Sequence, residues 1–389
     1  MKIAMLDPSL FTGRYDDSLC AALGAQGHEV ALLGRPLRAT DAIVPRGYAY
    51  APRYFRWSEQ LRGLAGDGWL ARVAKGAEYL WDAGFGSLAG LADADVVHVQ
   101  WLPLPSADRR LIARLAALPR RPALVHTVHN AKAYHGEDSM QARGYRALLD
   151  RFDRLIVHGA ESRQAMIEQG VAPERLAIVP HPPMALAPAD AATMAQVPDP
   201  RLPRLLFFGT IRPYKGFDLL IEACLMLWRE GLAFELAVAG KPFMEVAPLL
   251  DAVRAAGFGE RLILDLDFLK EEKLDAHLRK ADMIAFPYRH IDSSGAFLSA
   301  LHYGKAMACT RVGMFTGLPQ VDGDDPVALC APESADAFAA ALRPLVVDGT
   351  RRADLGRKAL ALQSLLANWD DAARGTLAAY RAARSEIDA

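Results

Sequence analysis

Cysteine is scarce in this chain: Cys20, Cys224, Cys309 and Cys330 stand far apart, with no paired spacing. That excludes a disulfide scaffold or a zinc ribbon and fits a reducing compartment. Net charge is nearly absent too, with 45 Lys plus Arg against 46 Asp plus Glu. A chain-wide nucleic-acid binder carries a basic surplus, so no nucleic-acid partner is expected. No apolar run approaches the ~20 residues that span a bilayer. The opening segment, Met1-Lys2-Ile3-Ala4-Met5-Leu6-Asp7, runs straight into a strand-like stretch without a signal-peptide core. The ten histidines show no paired ligand spacing, so no metal is expected. What is present is a hydrophobic fraction of 52% and a charged fraction of 23% over 389 residues, globular in composition and long enough for two domains. The expectation is a cytoplasmic two-domain protein.

Short apolar runs alternate with longer helical patterns from end to end. Strands are predicted at residues 3–6, 30–33, 95–99, 123–128, 155–158 and 177–179, then at 205–208, 235–239, 262–264, 283–286 and 306–309. Most are continuous apolar runs, as parallel strands buried on both faces require. Between them lie segments such as residues 16–26, where Leu19, Ala22 and Leu23 share a helical face. Asp16 and Asp17 favour its N-terminus and Gly27 is placed to stop it. This alternation predicts an α/β fold of two doubly wound Rossmann-like domains facing a cleft at the carboxyl ends of their strands. Pro180, Pro182, Pro183, Pro188, Pro198, Pro200 and Pro203 crowd the junction, where neither a helix nor a central strand can continue. The expected division is a domain at 1–182, a Pro-rich linker at 183–203, a second domain at 204–365 and a C-terminal helix at 366–389.

The most informative stretch is Leu205-Leu206-Phe207-Phe208-Gly209-Thr210-Ile211-Arg212-Pro213-Tyr214-Lys215-Gly216-Phe217-Asp218. A buried strand runs into a loop with two cations three apart, bounded by Gly209 and Gly216. Gly209 lets the backbone turn sharply or approach a ligand. Arg212 can grip a phosphate with two donors, and Lys215 adds a compact point charge. Asp218 reads as the N-cap of a helix over 219–228. The plain alternative is a strand-to-helix turn with two solvated cations. Where a later strand ends, Ser293, Ser294 and Gly295 precede an apolar helix and offer hydroxyl and backbone donors to an anion. Alone that is a capped helix; two such turns in one domain imply a diphosphate.

These residues carry a resemblance. Gly209 through Gly216, with Ala281-Asp282, Pro287-Tyr288-Arg289, Ser294-Gly295 and Tyr303-Gly304-Lys305, look like the donor half of a GT-B glycosyltransferase. The match is to the retaining family 4 (glycosyl transferases group 1), in the branch reading G-x-I-R-x-Y-K-G. Ile178-Val179-Pro180-His181-Pro182, Trp369-Asp370 and Tyr380 extend it over most of the chain, the last two in the helix that crosses back to the first domain. The resemblance implies an N-terminal acceptor domain, a C-terminal nucleotide-sugar donor domain, retention of anomeric configuration and no cofactor beyond the donor substrate. Two departures stand out. Thr210 occupies a place where many relatives have Arg, which leaves Arg212 as the phosphate cation. The family's paired glutamates fall on Ile291 and Ser299, so ribose and sugar recognition must be met otherwise.

In the first domain, the strand Ala123-Leu124-Val125-His126-Thr127-Val128 ends at His129, with Asn130 starting the loop. A histidine leaving a parallel strand at its carboxyl end points to the ligand side of the sheet. The resemblance puts it beside the transferred sugar; on residues alone a lone strand histidine is more often simply packed and hydrogen-bonded. His98 is the rival, and His126 should face elsewhere. Gly13, in the turn after the first strand, is expected near a phosphate or an acceptor hydroxyl. No G-x-G-x-x-G follows that strand, which counts against an NAD(P) oxidoreductase. Between Arg46 and Trp81, six cations outnumber Glu59, Asp67 and Glu78 and interleave with tyrosines, tryptophans and Phe55. That composition suits a peripheral contact with an anionic membrane or a lipid-linked acceptor, and equally a helical pair packing its aromatics. Asp265-Leu266-Asp267 matches a metal-binding D-x-D but belongs to another fold, and Asp322-Gly323-Asp324-Asp325 reads as a turn.

The expected activity is a retaining, metal-independent hexosyl transfer from a nucleoside-diphosphate sugar to a carbohydrate or lipid-linked saccharide, serving polysaccharide or glycoconjugate synthesis at the inner face of the membrane. Gly209, Thr210, Arg212, Lys215, Ser293, Ser294 and Gly295 would bind the donor; His129, Arg212 and Lys215 would act in the transfer. The rivals are a non-catalytic scaffold subunit and a sugar-nucleotide epimerase.

Overall fold

The computed structural model describes residues 1–39, 41–65, 68–129 and 144–388. The chain divides into two compact units: Met1–Pro180 together with Asn368–Ala389, and His181–Ala367.

The first unit is built on β1 (Lys2–Leu6), β2 (Glu29–Gly34), β3 (Ala49–Pro52), β4 (Val96–Val99), β5 (Ala123–Thr127), β6 (Arg154–Val157) and β7 (Leu176–Ile178). They form one sheet in the order β3-β2-β1-β4-β5-β6-β7, with every pairing parallel. The central strands are buried along their whole length because helices cover both faces. The helix Gly13–Ala25 lays Tyr15, Leu19, Cys20 and Leu23 on the sheet, and Gly27, at φ 82°, ends it in the left-handed region. The C-terminal helix Trp369–Asp388 belongs to this unit. Its buried Tyr380 hydroxyl lies 2.7 Å from His98 Nδ1 on β4, and its Glu386 pairs with Arg154 on β6.

The second unit carries β8 (Arg204–Phe208), β9 (Glu235–Ala239), β10 (Leu262–Asp265), β11 (Met283–Phe286), β12 (Ala306–Thr310) and β13 (Ala328–Cys330). Their order is β10-β9-β8-β11-β12-β13, again wholly parallel. The proline-rich segment expected as a linker packs onto this unit. The Ala187 and Ala189 N–H groups donate to Glu271 and Asp275, and Lys280 pairs with Asp199. The prolines bar a long helix but leave these neighbouring donors available.

Two strands were not predicted from the sequence, β3 and β13. Both are short, only partly buried edge strands, and their brief apolar runs carry or adjoin prolines, Pro52 in β3 and Pro326 and Pro332 around β13.

Candidate functional site

In an open parallel sheet, ligands bind beyond the carboxyl ends of strands where the strand order reverses. In the second unit that point lies between β8 and β11, so the loops leaving these two strands build the site. Gly209 leaves β8 at φ 85°, and a Cβ placed there would lie 3.2 Å from Lys215 Nζ: the ammonium folds back over the glycine. Pro213–Lys215 makes one 3-10 turn, and Gly216 at φ 66° hands it to the helix Phe217–Arg229. A Cβ on Gly216 would stand 2.0 Å from the Pro287 carbonyl oxygen. Only glycine lets the β8 loop pass that close to the β11 loop.

Lys215 is 7% exposed, with its Nζ 5.7 Å from the Tyr288 ring centroid. Burial, reinforced by the Arg212 charge, pushes its pKa down to about 8. The Arg212 guanidinium sits 4.4 Å over the ring of Phe243. Among the described residues, neither cation has a carboxylate partner. Arg289 differs: it forms a two-point pair with Asp218 at 2.8 and 2.7 Å and donates to the Pro213 carbonyl at 2.9 Å. Asp218 is therefore not the expected N-cap. The helix begins two residues earlier than expected, at Phe217 after Gly216, and the carboxylate, drawn below its usual range by Arg289, ties the two loops together.

At the end of β11, Ser294 caps the short helix Gly295–Ala300, its Oγ accepting from the Phe297 N–H at 3.2 Å. The Ser294 N–H itself points at the Met314 sulfur, 3.1 Å away. Ser293 and Thr210 are half-buried beside this cap and Gly209 respectively. Ile291 and Ser299, where the resembled family keeps glutamates, are both buried. Sequence reasoning passed over Phe243 and Phe268, exposed by 46% and 59% beyond β9 and β10. Their rings lie 5.8 Å apart, with Lys241 Nζ 4.6 Å over Phe268. A large aromatic left exposed just past a strand end was the available signal. Asp265 of the D-x-D is engaged by Lys273 and His277, and among the described residues no group of three His, Cys, Asp or Glu is assembled for a metal.

In the first unit the order reverses between β1 and β4. Gly13 starts the helix there, and a Cβ on it would meet Ile43 at 3.0 Å, so the glycine permits tight packing. Asp7 and Asp16 lie fully buried under this turn, and desolvation raises both carboxyls above their ordinary pKa. Thr12 links them outward: its N–H donates to Asp7, and its hydroxyl accepts from the Trp101 indole at 2.9 Å. His129 stacks on Trp101 at 5.3 Å with 7° between planes and meets the Tyr15 ring edge-on. Its Nε2 lies 2.9 Å from Gln100 Oε1 and its Nδ1 3.2 Å from His158 Nε2. His98 is walled in, with both nitrogens taken by Tyr380 and Thr127 and its pKa pushed down to about 3 by burial. His126 is held by Val99 and Tyr145. Asp67 and Asn130 lie outside the described residues.

Of the basic, aromatic stretch, Tyr54, Phe55 and Tyr79 are core residues, whereas Trp57, Trp69, Trp81 and Phe85 are 62–73% exposed. Among the described residues, no helix is long and apolar enough to cross a membrane.

Known proteins agree with this architecture. The glycosyl transferase 4-like domain family matches residues 12–182, and the glycosyl transferases group 1 family matches residues 202–348. A D-inositol 3-phosphate glycosyltransferase of Kineococcus radiotolerans is 28% identical over 290 residues, 67% of this chain and 66% of that protein. The protein of that name from Nocardia farcinica is 28% identical over 69% of this chain and 63% of its own length. This chain thus spans just under two thirds of these relatives. Among solved structures, sucrose-phosphate synthase of Thermosynechococcus elongatus superposes with a TM-score of 0.67 at 18% identity, covering 100% and 99% of the two chains. The starch synthase IV catalytic domain of Arabidopsis thaliana gives 0.70 at 13% identity, covering 98% and 99%. HepE of Anabaena, solved with UDP-glucose, gives 0.65 at 16% identity over the whole of both chains. Two parallel α/β domains and two consecutive family matches place the chain among the GT-B glycosyltransferases of the group 1 type.

Proposed function

We propose that this protein is a retaining, metal-independent glycosyltransferase. It moves a sugar from a nucleoside-diphosphate donor to a saccharide or lipid-linked saccharide in polysaccharide or glycoconjugate synthesis. One observation carries the donor assignment: Lys215 is buried, lacks a carboxylate partner among the described residues and lies in one loop with Arg212. Burying an ammonium unpaired is costly, and an arriving diphosphate relieves that cost. Arg212 supplies a forked donor, and Gly209, Thr210, Ser293, Ser294 and Gly295 line the same pair of strand ends. As the sugar–phosphate bond breaks, negative charge grows on the leaving diphosphate, and these groups stabilise it without moving. His129 contributes from the first unit by positioning the sugar, and Gly13 lets the acceptor side pack closely. HepE was solved with UDP-glucose, which supports a nucleotide sugar as donor; the curated relatives' name adds a phosphorylated cyclitol to the acceptors to be tried.

Calorimetry with UDP-, GDP- and ADP-sugars tests the reading: at least one binds, and binding is lost when Arg212 and Lys215 are replaced together. A scaffold subunit, favoured by the absent glutamates at Ile291 and Ser299, binds none. An epimerase converts donor without acceptor.

We also propose a peripheral membrane contact through the helix Trp69–Phe85. Trp69, Val73, Ala77, Trp81 and Phe85 recur every four residues, and all five are exposed. Trp57 and Leu61 extend the patch from the neighbouring helix Arg56–Ala65, where Arg56 is also exposed. Interfacial aromatics beside cations match an anionic bilayer surface.

A further inference from the structure

The nitrogens of His129 and His158 form a chain with one fixed end. His158 follows β6, and its Nδ1 lies 3.0 Å from the carbonyl oxygen of Val179. A carbonyl only accepts, so that nitrogen carries a proton. Burial holds the His158 pKa below its ordinary value, which keeps the ring neutral and leaves Nε2 as an acceptor. That acceptor is 3.2 Å from His129 Nδ1, so His129 Nδ1 is the donor of the pair. The remaining nitrogen, His129 Nε2, faces the Gln100 amide at 2.9 Å. With the amide oxygen towards it, the ring holds both protons and is an imidazolium. With the amide turned over, the NH2 group donates and the ring is neutral. On its far side, among the described residues, Gln100 Nε2 meets only the Met5 sulfur at 2.9 Å, a weak acceptor that leaves the amide able to turn. The Trp101 face stacked on the ring tolerates both states and favours the cation.

We propose that His158 is a positioning residue that fixes His129 in the Nδ1-protonated form and leaves Nε2, facing Gln100, exchangeable. Among the described residues, the other titratable groups around the pair are Tyr15 of the helix Gly13–Ala25, edge-on to both rings at 5.3 and 5.5 Å, and His98 on β4. His98 cannot substitute for either ring, because Thr127 and Tyr380 occupy its nitrogens. The proton arrangement stands on the hydrogen-bond geometry together with the burial of His158; its consequence for catalysis rests on the proposed glycosyl transfer, in which His129 faces the sugar.

The test is long-range 15N–1H spectroscopy of protein with ring-labelled histidine, with the His129 signals assigned by their loss in His129→Asn. Expected at neutral pH is a protonated Nδ1 on both His129 and His158. His158→Phe, which keeps a ring against Tyr15 but removes the acceptor, moves His129 towards the Nε2-protonated form; His158→Gln, which restores an acceptor oxygen, reverses that. In turnover, His158→Phe lowers kcat roughly 10-fold with the donor KM unchanged. A wild-type His129 protonated only on Nε2 overturns the proposal, and that measurement needs no variant at 158. His129 nitrogen shifts unmoved by His158→Phe overturn it as well. Spectra as expected, combined with full activity in His129→Asn, uphold the proton chain and remove His129 from the transfer.

Discussion

Replacing Lys215 with Met should make the protein more stable and less able to hold its donor. The lysine is 7% exposed, and its pKa falls from the ordinary 10.5 to about 8. At 1.36 kcal/mol per pH unit, that fall corresponds to a folded-state cost of ~3 kcal/mol for keeping the ammonium charged. The sign follows from the direction. Between about pH 8 and 10.5 the unfolded chain holds a proton that the folded chain has released, so stability rises with pH through that window. Below pH 8 the cost is fully present. Met keeps the length of the stem and removes the charge, so the advantage of Lys215→Met is ~3 kcal/mol at pH 7 and about 1.4 kcal/mol at pH 9.5. For a unit of this size that is on the order of 2–4 °C per kcal/mol in the melting of the donor unit. Donor binding shows the opposite trend. A diphosphate restores the lysine's pKa, so wild-type binding takes up a proton near pH 9 and affinity declines above about pH 8. Lys215→Met shows no such uptake and loses about 10²-fold or more in kcat. Calorimetry in buffers of different ionisation enthalpy, beside melting curves at the two pH values, checks every part. A variant that melts lower than wild type at pH 7 and still binds donor with proton uptake refutes the reasoning.

Gly216→Ala sets a Cβ 2.0 Å from the Pro287 carbonyl at φ 66°, so denaturant titration should show a loss of ~1–3 kcal/mol; a neutral result would mean the loop moves freely. Gly63→Ala, with nothing within 4 Å, is the control and should stabilise its helix by ~0.5–1 kcal/mol. Asp16 is buried, and burial, then the charge of Asp7 and a hydrogen bond between the two carboxyls, raise its pKa. The folded state therefore keeps a proton that the unfolded state gives up, and stability falls as pH rises above about 4. Asp16→Asn should accordingly melt above wild type at pH 8, with the gain shrinking towards pH 4; equal shifts at both pH values would contradict the raised pKa. Flotation with anionic liposomes should carry the wild type and leave behind a Trp57/Trp69/Trp81/Phe85 quadruple alanine variant; identical partition of the two rules out the aromatic face.

The parallel cores were legible in the sequence because doubly buried strands must be apolar along their length, as in the fully buried run of β8. β3 and β13 were not, because their short apolar runs carry or adjoin prolines and read as turns. In the donor loop, the glycines and the two cations could be read from spacing. The fate of Asp218 could not, because its partner Arg289 lies 71 residues away and outcompetes the local backbone for the carboxylate. His129 was visible as a strand-end histidine. Its neighbours Tyr15, Gln100, Trp101 and His158 come from three separate segments, and only the strand order β1-β4-β5-β6 brings those segments side by side.

The helix Trp369–Asp388 makes the first unit discontinuous in sequence: Met1–Pro180 is completed only by Asn368–Ala389. During synthesis, the faces destined for Ala372, Ala373, Leu377, Tyr380 and Ala383, all 2% exposed or less, stay uncovered until that helix, made after the whole second unit, leaves the ribosome. The second unit, His181–Ala367, is contiguous and has all its strands in hand sooner. The half made first is therefore the half finished last, and a premature stop just before Trp369 would release a protein whose second unit is whole while its first still shows bare core.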